Sequence, residues 1–444
     1  MHRNRTWQID PEELRTQRNR ILPIEGGDGS TLSLDFTTGV LDPRLTFTRL
    51  GNATFIGADG LVKTATTNTA RFDYDPTSIG TPRGLLIESS ATNICTYSGD
   101  MTQSGAGHWT TRTNLDTSAW TGFTAPDGTS TAVKLIPNTT NGLHNIQSVS
   151  GSLTLVAYTA SAFVKADGRT VVGLAIGGSQ AWQNFVLTGN GSLGSASTSP
   201  APNSTITPIG STGWYRVTMT WTSTLSASGV QLFVTLPQTS STSPFSSYAG
   251  DGTQNGVQAW GYQLELGSGA SSYIPSGASQ GSRGADNCVT AIANLTGFNA
   301  NQGTIYEAWR DNTASDTTVL QEWAFAFGLT GANGVGIFVA NSASGTFGLS
   351  GGISNTGDAG PAGTYVIGGL NKAAIAINVA GTSLKLSANG SAVATGTNIG
   401  GYNTAQTFSL GQRNNNTRYL NGWIRQFKYW PYLLPDAQLQ SLTT

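Results

Sequence analysis

The chain has 444 residues, with 23 basic and 24 acidic side chains and a formal net charge of -1. So even a balance lacks the basic footprint that nucleic-acid binding requires, and no apolar run approaches the ~20 residues of a membrane span. With 11 Trp, 13 Tyr and 16 Phe the chain can build a core, which excludes a solvated disordered polymer, and its length implies two or three domains.

The first twenty residues differ from the rest. They hold Arg3, Arg5, Arg15, Arg18, Arg20, Asp10, Glu12 and Glu13, 8 charges against 39 in the remaining 424 residues. Asp10-Pro11-Glu12-Glu13 reads as a helix start, with Asp10 as cap, Pro11 at the first helical position and Glu13 closing a capping box. Acids early and arginines late match the helix dipole. A helix this short needs something to dock on, so Arg3, Arg5, Trp7, Arg15 and Arg18 read as an anchor, with a frayed terminus as the alternative. The stretch has no apolar signal-peptide core.

Beyond residue 25 the pattern is β. Asn-Gly pairs begin at 141, 190, 255, 333, 389 and 421, and Asp-Gly pairs at 28, 59, 127, 167 and 251; these are the tight-turn signals that join short strands. Val217-Thr218-Met219-Thr220-Trp221-Thr222 alternates with period two. Leu384-Lys385-Leu386, Asn389-Gly390 and Ala392-Val393 read as a hairpin. Outside the N-terminus the convincing helix is Asp436 to Leu442. Gly, Thr and Ser supply 162 residues, enough hydroxyl-rich surface to keep a weakly charged protein wet. The expected fold is all-β: two β-sandwich or jelly-roll domains in series after a short N-terminal helix and a β-rich connector. The boundaries fall at 1–24 for the anchor arm, 25–95 for the connector, 96–280 for the first sandwich and 281–444 for the second, with Ser279-Gln280-Gly281-Ser282-Arg283-Gly284 as a polar linker.

Cys95 and Cys288 flank the first sandwich and read as two buried free thiols, or as a bridge if that domain's ends meet. His2, His108 and His144 are scattered, without the paired spacing of a zinc site, and Asp251 and Asp358 lack a diagnostic calcium spacing. No metal and no cofactor is expected.

Several motifs recur in a familiar order. Leu34-Asp35-Phe36-Thr37-Thr38-Gly39 and Leu45-Thr46-Phe47-Thr48-Arg49 come first. Ala70-Arg71-Phe72-Asp73-Tyr74-Asp75-Pro76, Pro82-Arg83-Gly84-Leu85-Leu86-Ile87-Glu88 and Asn93-Ile94-Cys95 follow. Phe163-Val164-Lys165-Ala166-Asp167-Gly168, Gly213-Trp214-Tyr215-Arg216-Val217, Trp260-Gly261-Tyr262-Gln263-Leu264-Glu265 and Ser272-Tyr273-Ile274-Pro275 complete the middle. This set resembles the virion proteins of bacteriophages, the head-fibre, tail-fibre and spike proteins that carry a carbohydrate-binding-module-like jelly roll. Gly303-Thr304-Ile305-Tyr306, Gly422-Trp423-Ile424-Arg425-Gln426-Phe427 and Leu434-Pro435-Asp436-Ala437 are similar to a concanavalin A or laminin-G sandwich. The resemblance covers residues ~30 to 444. It departs at Cys95 and Met101, where leucine and phenylalanine are usual, and it brings no catalytic set. It implies a homotrimer on the virion, assembled in the host cytoplasm, whose partners are other virion proteins (capsid, portal or tail) and bacterial surface glycans.

Most motif aromatics read as core. Trp214, Val217 and Trp221 look like one core face, and Trp423 and Phe427 are expected beneath the final helix. Asp73, Asp75 and Arg83 suggest either a salt-bridged connector or a subunit interface. Sugar binding needs an exposed ring beside amides, so the candidates are Trp182 within Gln180-Ala181-Trp182-Gln183-Asn184, Trp323 beside Glu322, Tyr402 and Arg413. Burial or plain solvation is the competing reading for each.

Three functions compete. The leading one is a non-enzymatic fibre or spike attached through its N-terminal region and binding host glycans. The second is a capsid decoration or a neck or tail component that binds no sugar. The third is a tail-spike depolymerase, which would need two carboxylates across a cleft; Glu307 and Asp311 form only a weak Glu-x-x-x-Asp pair.

Overall fold

The computed structural model describes residues 27–103, 109, 111–149, 152–177, 181–224, 226–228, 231–294, 297–311, 321–327, 335–341, 347–353, 357–359, 365–366, 368–379, 383–397, 407–412 and 419–444. The fold is all-β, with strands throughout and one short α-helix among the described residues, at the C-terminal end. The expected N-terminal helix lies outside the described residues. Two compact units divide the chain: one of Met1–Thr46, Asn287–Asp311 and Thr317–Thr444, the other of Phe47–Asp286 with Asn312–Asp316. Residues 25–95 therefore contribute to both units.

The Phe47–Asp286 unit is a β-sandwich. Its back sheet runs Asn203–Pro208, Trp214–Thr222, Ala157–Asp167, Gly256–Leu266, Val133–Pro137, Leu115–Asp116. Its front sheet runs Ser192–Ala196, Trp182–Val186, Val171–Ile176, Gln231–Thr235, Asn145–Val149, Thr111–Thr113. All of the pairings recorded in these two sheets are antiparallel. Period-two alternation builds the core. Val172, Leu174 and Ile176 from the front sheet meet Tyr215, Val217, Met219 and Trp221 from the back sheet, together with Trp109 and Tyr262. Burying each large apolar side chain contributes about 1.5–3 kcal/mol.

The outer side of the back sheet carries a second apolar cluster. Trp214 points there, away from Val217 and Trp221, and joins Val62, Ala125, Ala132, Phe163, Ile209, Trp260 and Tyr273. The expectation of one face for Trp214, Val217 and Trp221 is thus corrected: positions 214 and 217 have opposite parity in a strand. The hairpin of Ala53–Ile56 and Val62–Ala65 lies over this cluster. The bulge between Ser161 and Phe163 is answered at Gly261, whose φ is +64° and where a Cβ would come 2.9 Å from the Phe163 ring. The glycine of the Trp260-Gly261-Tyr262 motif is a backbone requirement.

Charged motif residues close this side. Arg49, Arg71, Glu88, Arg283 and Asp286 are all buried. Glu88 Oε2 lies 2.8 Å from Arg71 Nη2 and 2.7 Å from Arg283 Nη1, and accepts from Ser272 Oγ at 2.7 Å. Asp286 contacts Arg49 at 3.2 Å and also pairs with Arg71. Asn93 donates to Tyr262 O and Ile274 O and accepts from Cys95 N and Leu264 N, so its whole amide is used. Arg283, read as part of a linker, lies in the strand Gly281–Arg283, which pairs with Ala91–Asn93. Arg83 and Asp75 form a 3.3 Å ion pair, and Asp73 accepts from Ile56 N, which is the salt-bridged form of that segment.

In the other unit, one sheet runs Ala394–Thr397, Ser383–Ala388, Asn371–Asn378, Gln302–Asp311, Gly422–Trp430, the last also pairing with Leu32–Asp35. The second runs Asn287–Ala291, Thr407–Leu410, Gln321–Phe327, Val335–Asn341, Phe347–Ile353, Gly357–Ala359. Asn389, at φ 48°, and Gly390, at φ 75°, turn the expected hairpin. The helix Asp436–Thr443 packs Leu439 onto Tyr306, Ala308, Ala374, Ala376, Trp430 and Leu434. Phe427, expected under that helix, instead meets Phe408 at 4.6 Å between ring centroids; a bulge between Ile424 and Gln426 puts Trp423, opposite Arg310, on the other face, the one that carries Tyr306 and Ala308. Trp430 takes the place under the helix.

Candidate functional site

Of the residues singled out for sugar contact, the structure describes one side chain. Tyr402 and Arg413 lie outside the described residues, as do Arg3, Arg5, Trp7, Arg15 and Arg18. Trp323 lies in the strand Gln321–Phe327, of which the backbone is described. Trp182 begins the strand Trp182–Val186 and is half-buried.

The two outer faces of the Phe47–Asp286 sandwich differ. The back one is sealed by the second cluster and the buried charges. The front one is built by residues of opposite parity to the core. Register aligns Trp182 with Ala175, Ala175 with Phe233, Phe233 with Gln147 and Gln147 with Thr111 in one row. The neighbouring row is Asn184, Gly173, Thr235, Asn145 and Thr113. Trp182 and Gln147 are half-buried, Gln231 and Thr111 are exposed, and Ala175 is fully buried beside the two rings.

The second row is closed over by the segment 238–247. Asn184 Nδ2 donates to Thr242 O at 2.7 Å and Ser240 O at 3.3 Å, and Ser195 N donates to Ser240 O at 2.8 Å. Phe245 stands edge-on to Phe233 at 6.0 Å. A Cβ on Gly173 would collide with Thr235 Oγ1 and lie 2.9 Å from Asn184 Oδ1, so glycine lets both side chains lean across the strand. Asn184 Oδ1, Thr235 Oγ1 and Asn145 Oδ1 are buried without a hydrogen-bond partner. The signal for this row is present in Val172-Gly173-Leu174-Ala175-Ile176-Gly177, where large and small residues alternate. Small residues on one face mark a close approach, and a search for aromatic rings alone passes over it.

The carboxylates are largely committed to structure. Nine aspartates (Asp28, Asp35, Asp42, Asp59, Asp75, Asp100, Asp116, Asp127 and Asp251) accept the backbone N–H two residues on and so fix turns. Burial pushes Glu88 up, but Arg283, Arg71 and the Ser272 donors outweigh it and hold the carboxyl at about 2. Glu265 is raised by burial, against Ser271, Gln263 and Arg216. Glu307 is fully buried with both oxygens unpartnered, and burial pushes it well above the usual carboxylate range. Asp311 is raised by burial, against donors from Tyr365 and Gly368. Both sit within their sheet, in the strand Gln302–Asp311. Cys95 and Cys288 are buried and not bridged to one another, and burial pushes the Cys95 thiol to about 12.

The class defined by these features is an all-β protein of antiparallel sandwiches. No family model matches the sequence, and no curated protein matches it. Solved structures similar to part of the chain include the CBM40 domain of a Ruminococcus gnavus IT-sialidase bound to α2,6-sialyllactose. It is 20% identical at a TM-score of 0.26, over 33% of this chain and 85% of that one. Another is domain 4 of AbnA, a GH43 extracellular arabinanase from Geobacillus stearothermophilus, in complex with arabinotriose; it is 18% identical at 0.29, over 36% and 73%. A third is a heptameric SAP-like pentraxin from Limulus polyphemus, 13% identical at 0.25, over 33% and 70%. Likeness at these scores carries no weight for function.

Proposed function

We propose that the chain is a non-enzymatic glycan-binding protein of a bacteriophage particle, a head or tail fibre or spike. In this reading its N-terminal region attaches it to other virion proteins and its sandwiches meet sugars on the host surface. The glycan part is carried by one observation: Trp182 offers a partly open ring on the outer face that the sandwich's own motifs leave unsealed, with the amides of Gln147 and Gln231 further along the same face. An indole stacks on the C–H face of a pyranose while amides exchange hydrogen bonds with its hydroxyls. Weak single contacts gain strength when many copies are displayed together. The virion part is supported by the order of the sequence motifs. The non-enzymatic part is supported by the use of the carboxylates, spent on turns and buried ion pairs.

A glycan array probed with the full chain and with Trp182→Ala tests the first part. The expected result is binding that weakens at least ~10-fold in the variant while the melting temperature stays. Binding to no glycan counts against it and favours a purely structural decoration protein. Labelling of purified particles with an antibody to the chain tests the second part, and absence from particles refutes it. Reducing-end release from host polysaccharide should stay flat; robust release refutes the third.

A further inference from the structure

We infer that the front face takes an uncharged saccharide and discriminates against acidic ones, a specificity that rests on the glycan reading above. From Thr170 to Gly250 the sequence contains a single charged residue, Arg216. Arg216 belongs to the back sheet, where it is held by Ser271 O at 2.6 Å and lies over the Phe163 ring. Five of the six front strands, with the segment 238–247 laid across them, come from this stretch, away from Arg216, or from 145–149, which is also uncharged. The remaining strand, Thr111–Thr113, carries Arg112, but that residue pairs with core-facing Ile146 and places its guanidinium 4.1 Å from the Trp120 ring centroid. Arg169, at the end of the sheet away from Trp182, donates to Pro237 O at 2.8 Å and lies over Tyr248.

The polar groups that remain are suited to hydroxyls. Gln147 and Gln231 each offer a donor and an acceptor, as a neutral sugar hydroxyl does. The second row lies beneath the uncharged 238–247 segment, to which both Asn184 Nδ2 bonds run, and so brings no cation to the face. A carboxylate or sulfate brought to this face would lose water and meet no cation on these strands. The row from Trp182 to Gln147 spans three inter-strand steps, about 14 Å, which suits a short oligosaccharide segment.

The test uses the full chain with dextran, mannan and galactan against polygalacturonate, sialylated and sulfated glycans, each immobilised, at 50 and 500 mM NaCl. The expected result is retention on at least one neutral polymer. Affinity should change less than ~2-fold with salt, because no ion pair is there to screen. It should fall at least ~10-fold in Trp182→Ala and recover in Trp182→Phe, with unchanged circular dichroism in both. Binding confined to acidic polymers, salt-sensitive and dependent on Trp182, overturns the neutral specificity and leaves the glycan reading standing. Neutral binding untouched by Trp182→Ala overturns the placement on this face. Binding to none of the probes overturns the glycan reading and this inference together.

Discussion

Glu88→Gln should destabilise the Phe47–Asp286 unit far more than its conservative shape suggests. Glu88 is fully buried against Arg71 and Arg283, at 2.8 and 2.7 Å, and accepts from Ser272 N and Oγ. The amide keeps the volume but turns an N–H₂ toward two guanidinium groups, leaving three buried arginines around Asp286 alone. The carboxyl is depressed from 4.5 to about 2, and at 1.36 kcal/mol per unit this amounts to ~3 kcal/mol of stability at pH 7. Breaking a buried pair by removing one partner costs about 3–5 kcal/mol, the same order. Because the folded value lies below the unfolded one, the contribution is complete above about pH 5 and is lost as pH falls toward 2, leaving roughly 1.5 kcal/mol at pH 3. Urea unfolding of wild type and variant at pH 7 and pH 3 measures this, with hydrogen exchange in the Ala157–Asp167 strand assigning the transition to this unit. A difference under 1 kcal/mol at pH 7, or an equal difference at both pH values, refutes the reasoning.

The remaining predictions follow the same physics. Glu307 has the opposite sign: its folded value is raised by burial, so stability falls as pH rises above the unfolded value. Glu307→Gln should therefore stabilise its unit at pH 8 by about 1 kcal/mol or more, seen as a higher melting temperature, and change little at pH 4; equal effects at both would count against it. Gly173→Ala should cost about 1–3 kcal/mol through overpacking against Thr235 and Asn184, seen as a lower urea midpoint, and an unchanged midpoint would show the row to be loose. Iodoacetamide at pH 8 should leave both cysteines unmodified in the native protein and alkylate both in urea, read by intact mass, since burial keeps the Cys95 thiol protonated.

Much of the architecture was legible in local chemistry. Asn389-Gly390 announces its hairpin because both positions need positive φ, and Pro435-Asp436 announces the final helix. The aspartates that initiate turns are visible as Asp-x-Ser and Asp-x-Thr, as in Asp75 to Thr77 and Asp127 to Thr129. The candidate site was half legible: Trp182 stands out by its amide neighbours, whereas Gly173, Thr235 and Asn145 become one row only through register.

What the sequence alone determined is therefore what rests on neighbours a few residues apart: β periodicity, turn positions, and a run from Thr170 to Gly250 almost free of charge. The tertiary structure decided which partner covers which face. Alternation says that Trp214 and Val217 point to opposite sides, but not that Val62 and Tyr273 arrive to bury the first. Nor does it say that Arg49 and Asp286, 237 residues apart, meet away from water. A strand carries two faces at no local cost, and only the packing of distant segments, driven by apolar burial and by the need to pair buried charge, settles which face is sealed and which is left to meet a ligand.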